Sequence, residues 1–299
     1  MSKKVLAIYY SQSGQLGEII AHFTAPLLQS GASVEKVVIH PSSSYPFPWT
    51  GKSFFAVMPD CVLGIPGKLS AFELKEKAYD LIILGYQAWF LSPSIPFNSL
   101  LSDPSFKALL AHTPVITITG ARNMWITAFE RIRKTLEQAG AQLKGHIVLT
   151  DKHSNIVSFI TIFFWMLTGR KDRFLNIFPK PGVAQSDIVN TQHWGKIVEP
   201  YLNSNSWEGM QEQLVAAKAV EIKYNLMFIE SKASRIFSLW ANFIVKRKNR
   251  EPWLVAFKYY LFTALFIAAP IIVTINSLIF KPFSSRRIRE KKQYYLGLN

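Results

Sequence analysis

Short apolar runs alternate with amphipathic stretches through the first half of the chain. Five of these runs are predicted to be strands: Val5–Tyr10, Val34–Ile39, Leu81–Leu84, Val115–Thr119 and His146–Thr150. Amphipathic helices are predicted at Gly17–Leu28 and Ile126–Ala139, where Gly140 supplies a C-terminal stop. This alternation predicts an α/β fold with a five-stranded, doubly wound parallel sheet. Ligands bind such a sheet at the carboxyl ends of its strands.

Three later stretches depart from this pattern. Pro41 to Pro66 is proline-rich, has no clear periodicity and is predicted to be a long loop. Ile156–Thr168 is apolar on all sides, and its 13 residues are too few to span a bilayer. It suits a buried helix or subunit contact, and equally the wall of a lipid-like substrate pocket or a membrane-dipping element. Because Asp187–Leu202 is predicted to be a closing helix, we place one domain at 1–206, with an apolar helical insertion at 152–182.

The last third of the chain has a helical pattern of its own. Apolar positions from Val215 to Phe243 recur in steps of four and three, so one long helix is predicted over Gln211–Val245. This spacing suits a coiled-coil seam in a homodimer, an amphipathic helix on a surface, or a helix packed on its own domain. Tyr259–Phe280 then runs for 22 residues without a charge. As a helix it would be roughly 33 Å long, close to the ~30 Å hydrocarbon core of a bilayer, so 207–299 is predicted to associate with a membrane.

Charge is distributed unevenly along the 299 residues. The sequence carries a net charge of +15, from 34 basic and 19 acidic side chains. Residues 1–217 hold 19 basic and 15 acidic side chains, a net +4, so residues 218–299 hold the other 15 basic and 4 acidic ones, a net +11. The basic residues bracket the apolar span and form no polar stripe, which disfavours nucleic acid as a partner and favours an anionic membrane surface.

The two basic clusters are Lys246–Arg250 and Lys281–Lys292. Positive flanks prefer the cytoplasmic side, so a single pass conflicts with the positive-inside rule in either orientation. Pro270 permits a kinked, re-entrant or interfacial hairpin that keeps both clusters in the cytoplasm. We therefore predict a monotopic arrangement on the cytoplasmic side of the cell membrane, with a single-pass C-terminal anchor as the alternative. At the other end, the apolar run Val5–Tyr10 is too short for a secretory signal.

Cysteine and histidine usage narrows the candidate chemistry. Cys61 is the one cysteine of the sequence, which excludes an intramolecular disulfide framework and a multi-thiolate metal site. A reducing compartment is the default, and no histidines and carboxylates stand at metal-ligand spacing, so no metal is expected. Cys61 has no histidine near it in sequence, so thiolate-based condensation is not expected either.

A small polar motif separates the first predicted strand from the first predicted helix. After Tyr10 it consists of Ser11, Gln12, Ser13, Gly14, Gln15 and Leu16. Two hydroxyls, a glycine that lets backbone approach closely and the free N–H groups of a helix start form a cradle for a phosphate monoester. The motif has neither the lysine of a Walker loop nor the further glycines of a dinucleotide fingerprint. Taken alone it also suits a polar turn with a helix cap.

This motif resembles the first loop of the flavodoxin-like FMN proteins, Ser/Thr-x-Ser/Thr-Gly-x-Ser/Thr. Ser11, Ser13 and Gly14 match, whereas Leu16 replaces the last hydroxyl and removes one phosphate donor. The loop after the third predicted strand is similar to the family's aromatic loop, with Gln87, Ala88, Trp89, Phe90 and Leu91. The loop after the fourth is similar to the one that closes on the other side of the flavin, with Gly120, Ala121, Arg122, Asn123 and Trp125. The resemblance spans residues 3–202 and implies a flavodoxin-like sheet that binds FMN, with Trp89 or Phe90 stacked on the flavin ring.

The Thr-Gly-Ala-Arg-Asn-Met-Trp loop, the apolar insertion and the basic hydrophobic tail together resemble the bacterial dialkylresorcinol condensing enzyme or aromatase group. This closer resemblance implies a hydrophobic, lipid-like substrate and a flavin-dependent oxidoreductase of the aromatase type. A 2,5-dialkylcyclohexane-1,3-dione is two electrons more reduced than the resorcinol. Hydride transfer to flavin together with loss of an acidic ring proton would therefore aromatise it.

Three residues are predicted to assist this chemistry. His153, with Asp151 close by, lies just beyond the fifth predicted strand, at the edge where ligands bind. Tyr86 and Arg122 lie in the flavin-facing loops, where they would polarise an enolate or carbonyl oxygen. The alternative functions are an NAD(P)H-dependent quinone reductase and a non-catalytic electron carrier tethered to the membrane.

Overall fold

The computed structural model describes residues 2–276, 278 and 285–298. Its centre is a sheet of five parallel strands, which are β1 (Lys4–Tyr9), β2 (Ser33–Val38), β3 (Leu81–Tyr86), β6 (Pro114–Ala121) and β7 (Gln142–Thr150). Strands β4 (Ala88–Trp89) and β5 (Ser92–Pro93) form a separate antiparallel hairpin. The order across the sheet is β2-β1-β3-β6-β7, which is the flavodoxin-like order of a doubly wound sheet. The predicted fold class is confirmed.

Helices cover both faces of the sheet. They are α1 (Gln15–Gln29), α2 (Gly51–Ala56), α3 (Met58–Leu63), α4 (Ile95–Ser102), α5 (Pro104–Leu110), α6 (Ile126–Gln138), α7 (Asn155–Thr168), α8 (Gln185–Ser204), α9 (Met210–Ala216), α10 (Tyr224–Val245), α11 (Glu251–Thr263), α12 (Ala269–Ile275) and α13 (Ser285–Leu296). Helices α1, α8 and α9 pack on one face, and α4, α5 and α6 on the other. Because both faces are covered, the central strands β1 and β3 are almost continuous apolar runs.

The proline-rich stretch Pro41 to Pro66 is only partly a loop, so the prediction of one long loop is wrong. Thr50 begins α2 with a capping box, in which its hydroxyl accepts from the N–H of Ser53 and Ser53 accepts from the N–H of Thr50. Helix α3 follows at once and ends at Gly64, whose φ of 68° is the left-handed conformation that glycine adopts readily. Each helix has six residues, too few for a visible period in the sequence.

The single helix predicted over Gln211–Val245 is two helices, α9 and α10. Lys218, between them, has a φ of 59°, which no continuous helix allows. The chain turns there because the carbonyl of Ala219 accepts a hydrogen bond of 2.8 Å from the N–H of Val148 in β7. Ala219 is fully buried in the core between the sheet and α8. The apolar spacing continues across this break, so periodicity alone does not reveal it.

The C-terminal helices form an antiparallel hairpin with α10. Helix α11 continues through a π-helical turn at Ala264–Ala268 into α12, giving one apolar helix of 25 residues, Glu251–Ile275, long enough to cross a membrane. Phe257 is fully buried against Phe237 of α10, and Asn276 donates to Tyr224 at the open end of the hairpin (3.0 Å). Pro270 lies inside this 25-residue helix, two residues after the π-helical turn Ala264–Ala268. The end of the predicted span Tyr259–Phe280 lies outside the described residues.

Candidate functional site

Four loops meet at the carboxyl edge of the sheet, because β1, β3, β6 and β7 are parallel and end together. They follow Tyr9, Tyr86, Ala121 and Thr150. The three loops of the predicted flavin site and the loop that carries His153 are thus brought to one edge. The location of the site follows directly from the strand order.

The first loop leaves a helix start open. Gly14 takes a φ of 83° and no side chain caps α1 within the described chain, so the first N–H groups of that helix face outward. The Ser11 hydroxyl is buried and has no hydrogen-bond partner. Ser13 is half-buried beside it. This part of the motif can therefore hold a phosphate.

The other residues of the first loop hold the surrounding structure. Gln12 accepts a hydrogen bond from Nε1 of Trp49 (3.1 Å) and donates to the carbonyl of Pro46 (3.1 Å). The side-chain amide of Gln15 donates to the carbonyl of Val183 and accepts from its N–H, both at 3.3 Å. Leu16 is only 2 % exposed and belongs to the core. Gln12, Gln15 and Leu16 thus have backbone groups to offer a ligand, while their side chains are engaged elsewhere.

The second loop is a tight hairpin between β4 and β5. Its two turn residues, Phe90 and Leu91, have φ values of 47° and 62°, a conformation that bulky residues adopt only under packing constraint. Trp89 lies edge-on to Tyr10 at 5.8 Å and to Tyr45 at 5.3 Å. Trp89 is therefore the aromatic side chain of this loop that remains at the site.

Phe90 packs against the apolar cluster of the C-terminal hairpin. Its ring contacts Phe54 at 4.6 Å and Phe257 of α11 at 6.4 Å. Of the two rings predicted to stack on a flavin, Phe90 lies at the turn and packs into this cluster, whereas Trp89 lies in β4 beside Tyr10. Leu91, 9 % exposed, belongs to the same apolar cluster. Phe90 and Leu91 instead connect the site to the C-terminal hairpin.

Buried polar atoms without partners also occur in the second loop. They are Oε1 of Gln87 and the hydroxyls of Ser92 and Ser94. Ser92 is 1 % exposed and Ser94 is fully buried. Most buried polar groups in folded proteins have a partner, so three such atoms in one loop indicate a place for a ligand. Ala88 lies between them in β4.

The third loop is fixed by Asn155 at the start of α7. Nη1 of Arg122 donates to Oδ1 of Asn155 at 2.9 Å and to its carbonyl at 3.0 Å, and Nδ2 of Asn123 donates to the same Oδ1 at 3.0 Å. Burial lowers the pKa of Arg122 to about 10, so the guanidinium stays charged at neutral pH. Oδ1 of Asn123 is buried without a partner. At Gly120 a side chain would come within 3.0 Å of Ile19, so glycine allows β6 to approach α1.

Tyr86 and Trp125 lie in the core, which corrects two predicted site residues. The Tyr86 side chain is fully buried against Phe97 at 5.8 Å, and burial raises the pKa of its hydroxyl well above the ordinary value. The hydroxyl therefore stays protonated, and it has no hydrogen-bond partner among the described residues. Trp125 is 2 % exposed and packs on His146 at 4.9 Å. Both side chains belong to the apolar layer beneath the loops, because neighbouring residues of a strand or turn alternate between the edge and the core.

His153 and Asp151 form a hydrogen-bonded pair. Nδ1 of His153 lies 2.6 Å from Oδ1 of Asp151, whose Oδ2 accepts from the hydroxyl of Ser158 at 2.9 Å. Asp151 is 1 % exposed, whereas the histidine ring is about half exposed, with its side chain at 42 %. The N–H of Asp151 donates to the carbonyl of Arg122 at 3.0 Å. A carboxylate in this position orients the imidazole and leaves Nε2 available for proton transfer.

Helix α7, the predicted apolar insertion, places an aromatic wall next to this pair. Phe159 and Phe163 stack on each other at 5.5 Å, and both contact Phe262 of α11, at 6.0 Å and 5.9 Å. The Arg122 guanidinium lies 5.7 Å from the Phe159 ring. Only Ser158 and Thr161 of the helix are buried. The wall therefore continues from the candidate site to the C-terminal hairpin.

Glu230 of α10 is a site neighbour that the sequence did not identify. It is fully buried, and its Oε1 accepts a 2.6 Å hydrogen bond from the N–H of Thr127 in the first turn of α6. Its second oxygen has no partner. Burial raises the pKa of Glu230 to about 7, although hydrogen bonds from the α6 N-terminus oppose the shift. In the sequence Glu230 directly follows Ile229, one of the apolar positions of the helical repeat. A carboxylate next to an apolar position of that repeat is the one sign in the sequence that Glu230 is buried.

Cys61 is buried, and its thiol donates to the carbonyl of Trp89 (3.2 Å). Burial raises the pKa of the thiol, so it stays protonated. Among the described residues, no group of three or more His, Cys, Asp or Glu side chains is arranged to hold a metal ion.

No protein-family model matches the sequence, and no curated protein matches it either. Among solved structures, an FMN-bound flavoprotein from Lactobacillus acidophilus NCFM is 17% identical over 49% of this chain and 93% of that one, with a TM-score of 0.41. A flavodoxin from the domain Archaea is 7% identical over 67% of this chain and 99% of that one, with a TM-score of 0.38. A flavone reductase is 10% identical over 68% and 64% of the two chains, with a TM-score of 0.37. These likenesses carry no functional argument; the strand order of this chain makes its fold flavodoxin-like.

Proposed function

We propose that the carboxyl edge of the sheet binds FMN. The observation that carries this proposal is a set of buried polar atoms without partners, found in all three loops: the hydroxyls of Ser11, Ser92 and Ser94, Oε1 of Gln87 and Oδ1 of Asn123. Each such atom costs about 1–3 kcal/mol when it is left unsatisfied. A ligand rich in hydrogen-bonding groups would remove that cost in every loop at once. A phosphate-bearing, flat heterocycle fits this distribution.

Each loop has a share in the binding. Ser11 and Ser13, with the N-terminus of α1, would hold the phosphate. Gln87 and Asn123 would bind the polar edge of the ring, with Trp89 against its face. FMN, when bound, supplies a two-electron acceptor for hydride.

The chain's own residues would orient a substrate and move one proton. A dialkylcyclohexanedione that loses hydride to the cofactor must also lose a ring proton to become a dialkylresorcinol. Nε2 of His153 is the base for that proton, because Asp151 holds Nδ1 and is placed to stabilise the imidazolium that forms. The Arg122 charge lies beside Phe159, where it would stabilise an enolate oxygen. Phe159 and Phe163 would exclude water and hold the alkyl chains.

We also propose that the enzyme lies on the cytoplasmic face of a membrane. Large apolar side chains stand exposed along the free side of the C-terminal hairpin: Leu239, Val255, Tyr259, Ile267, Ile271, Ile272, Ile275 and Leu278. The opposite side of the same helix is packed on the domain through Phe257. A helix held in this way can enter the interface sideways, so a monotopic arrangement fits better than a spanning one.

The decisive experiment is an absorbance spectrum of the detergent-purified chain, followed by anaerobic titration with a dialkylcyclohexanedione. The expected result is a flavin spectrum that bleaches as one equivalent of resorcinol forms. Protein that neither contains flavin nor binds added FMN overturns the proposal. If NADPH bleaches the flavin rapidly and the dione does not, the proposed activity becomes that of a quinone reductase and not of an aromatase. Flavin that neither compound reduces indicates an electron carrier.

A further inference from the structure

A cavity outside the three loops lies between the first turn of α6, which directly follows the third loop, α10 and α13. Its volume is about 580 Å³. Four basic side chains line it, Lys232 and Arg235 from α10 and Arg287 and Lys291 from α13. No aspartate or glutamate is among its lining residues. The cavity is therefore strongly electropositive.

The four cations have no carboxylate partner within the described parts of the chain. Lys232 has an aromatic contact, 5.9 Å from the Phe228 ring, while Arg286 on the same helix α13 is paired with Glu290. Residues three or four positions apart share one face of a helix, so each pair points into the cavity together. The four cations are exposed and line one cavity without a carboxylate, so they repel each other, and an anionic ligand would offset that repulsion.

The remaining lining distinguishes a lipid from a simple salt site. Met227, Phe228 and Ile288 are apolar, and Asn276 is a polar residue only 3 % exposed. Asn276 directly follows the apolar helix, in which Ile271, Ile272 and Ile275 are exposed. A headgroup phosphate in the cavity would thus have apolar surface beside it for its acyl chains.

We propose that this cavity binds the phosphate of an anionic phospholipid. Binding at a defined site differs from the general attraction of a basic surface to an anionic membrane, to which every nearby cation contributes wherever it lies. The site would also fix which side of the C-terminal hairpin meets the lipid. This inference rests on the proposed membrane association and is independent of the flavin site.

The test uses the full chain in neutral detergent and short-chain monomeric lipids, so that it does not depend on vesicle binding. Thermal unfolding is measured against dihexanoylphosphatidylglycerol, dihexanoylphosphatidylcholine and inorganic phosphate. We expect the anionic lipid to bind about tenfold more tightly than the zwitterionic one, which corresponds to a difference of roughly 1.4 kcal/mol in binding free energy. Equal affinity for the two lipids overturns the proposal. If inorganic phosphate binds as tightly as the anionic lipid, the cavity is a site for a soluble phosphate and the lipid assignment is overturned.

A charge-reversal pair separates the site from diffuse electrostatics. Arg287→Glu with Lys291→Glu cancels the whole positive charge of the lining, because two glutamates then face the two remaining cations, Lys232 and Arg235. Arg289→Glu with Lys292→Glu changes the net charge equally on the same helix without touching the cavity. Only the first pair is expected to abolish the preference for the anionic lipid. Equal losses in both pairs contradict a defined site. Membrane association is tested separately with vesicles of phosphatidylcholine, with and without phosphatidylglycerol. If the wild-type protein binds the short-chain lipid but no vesicles, the proposed membrane association is refuted and the lipid site in the cavity is not.

Discussion

The buried carboxyl group of Glu230 gives the sharpest physical prediction. Burial raises its pKa from 4.5 to about 7, because the charged form loses its hydration. A carboxyl with a raised pKa binds its proton more tightly in the folded protein than in the unfolded chain. Its stabilising effect is therefore complete below about pH 4.5 and is lost as the pH rises through about 7.

The size of this effect follows from linkage. One pKa unit corresponds to about 1.4 kcal/mol, so the free energy of unfolding should fall by about 2.5 kcal/mol between pH 5 and pH 8 through this group. Glu230→Gln cannot ionise and keeps an oxygen that accepts from the N–H of Thr127. The variant should therefore lack this part of the pH dependence, while every other titrating group contributes equally to both proteins.

The assay is guanidinium unfolding in detergent, followed by tryptophan fluorescence at pH 5, 6, 7 and 8 in wild type and variant. Glu221→Gln serves as the control, because Glu221 is an exposed carboxylate just before α10. It should keep the wild-type slope. Parallel pH dependences for wild type and Glu230→Gln would refute the argument, since they would mean that Glu230 is ionised or solvated alike in both states.

Three further predictions concern the site and its support. Ser11→Ala should weaken FMN binding about tenfold or more, through loss of a hydrogen bond to a charged group, whereas the exposed Ser102→Ala should leave the flavin fluorescence titration unchanged. His153→Gln should slow dione-dependent bleaching about 10²–10⁴-fold in stopped flow; an unaltered rate, with FMN affinity unchanged, would exclude it as the base. Phe257→Ala should lower the unfolding free energy by about 3–5 kcal/mol, and a loss below about 1 kcal/mol would mean that the hairpin does not pack on the domain.

The sequence alone was sufficient for the sheet and for the edge that carries the site. Short apolar runs such as Val5–Tyr10 and Leu81–Leu84 are typical of buried strands, and their alternation with helices predicts the parallel order that the sheet has. The loops after those strands must then meet at one edge. The placement of Ser11, Asp151 and His153 at that edge needed no more than this local information, whereas the hydrogen bond between His153 and Asp151 is seen only in the structure.

Tertiary structure decided which side chains of those loops face the site. Phe90 turns toward the C-terminal hairpin and Trp125 into the core, because the packing partners that attract them, Phe257 and His146, lie far away in the sequence. Glu230 reaches the third loop only because α10 folds back across α6. Periodicity describes one element at a time, whereas the contacts between elements distant in the chain depend on how the whole core is filled.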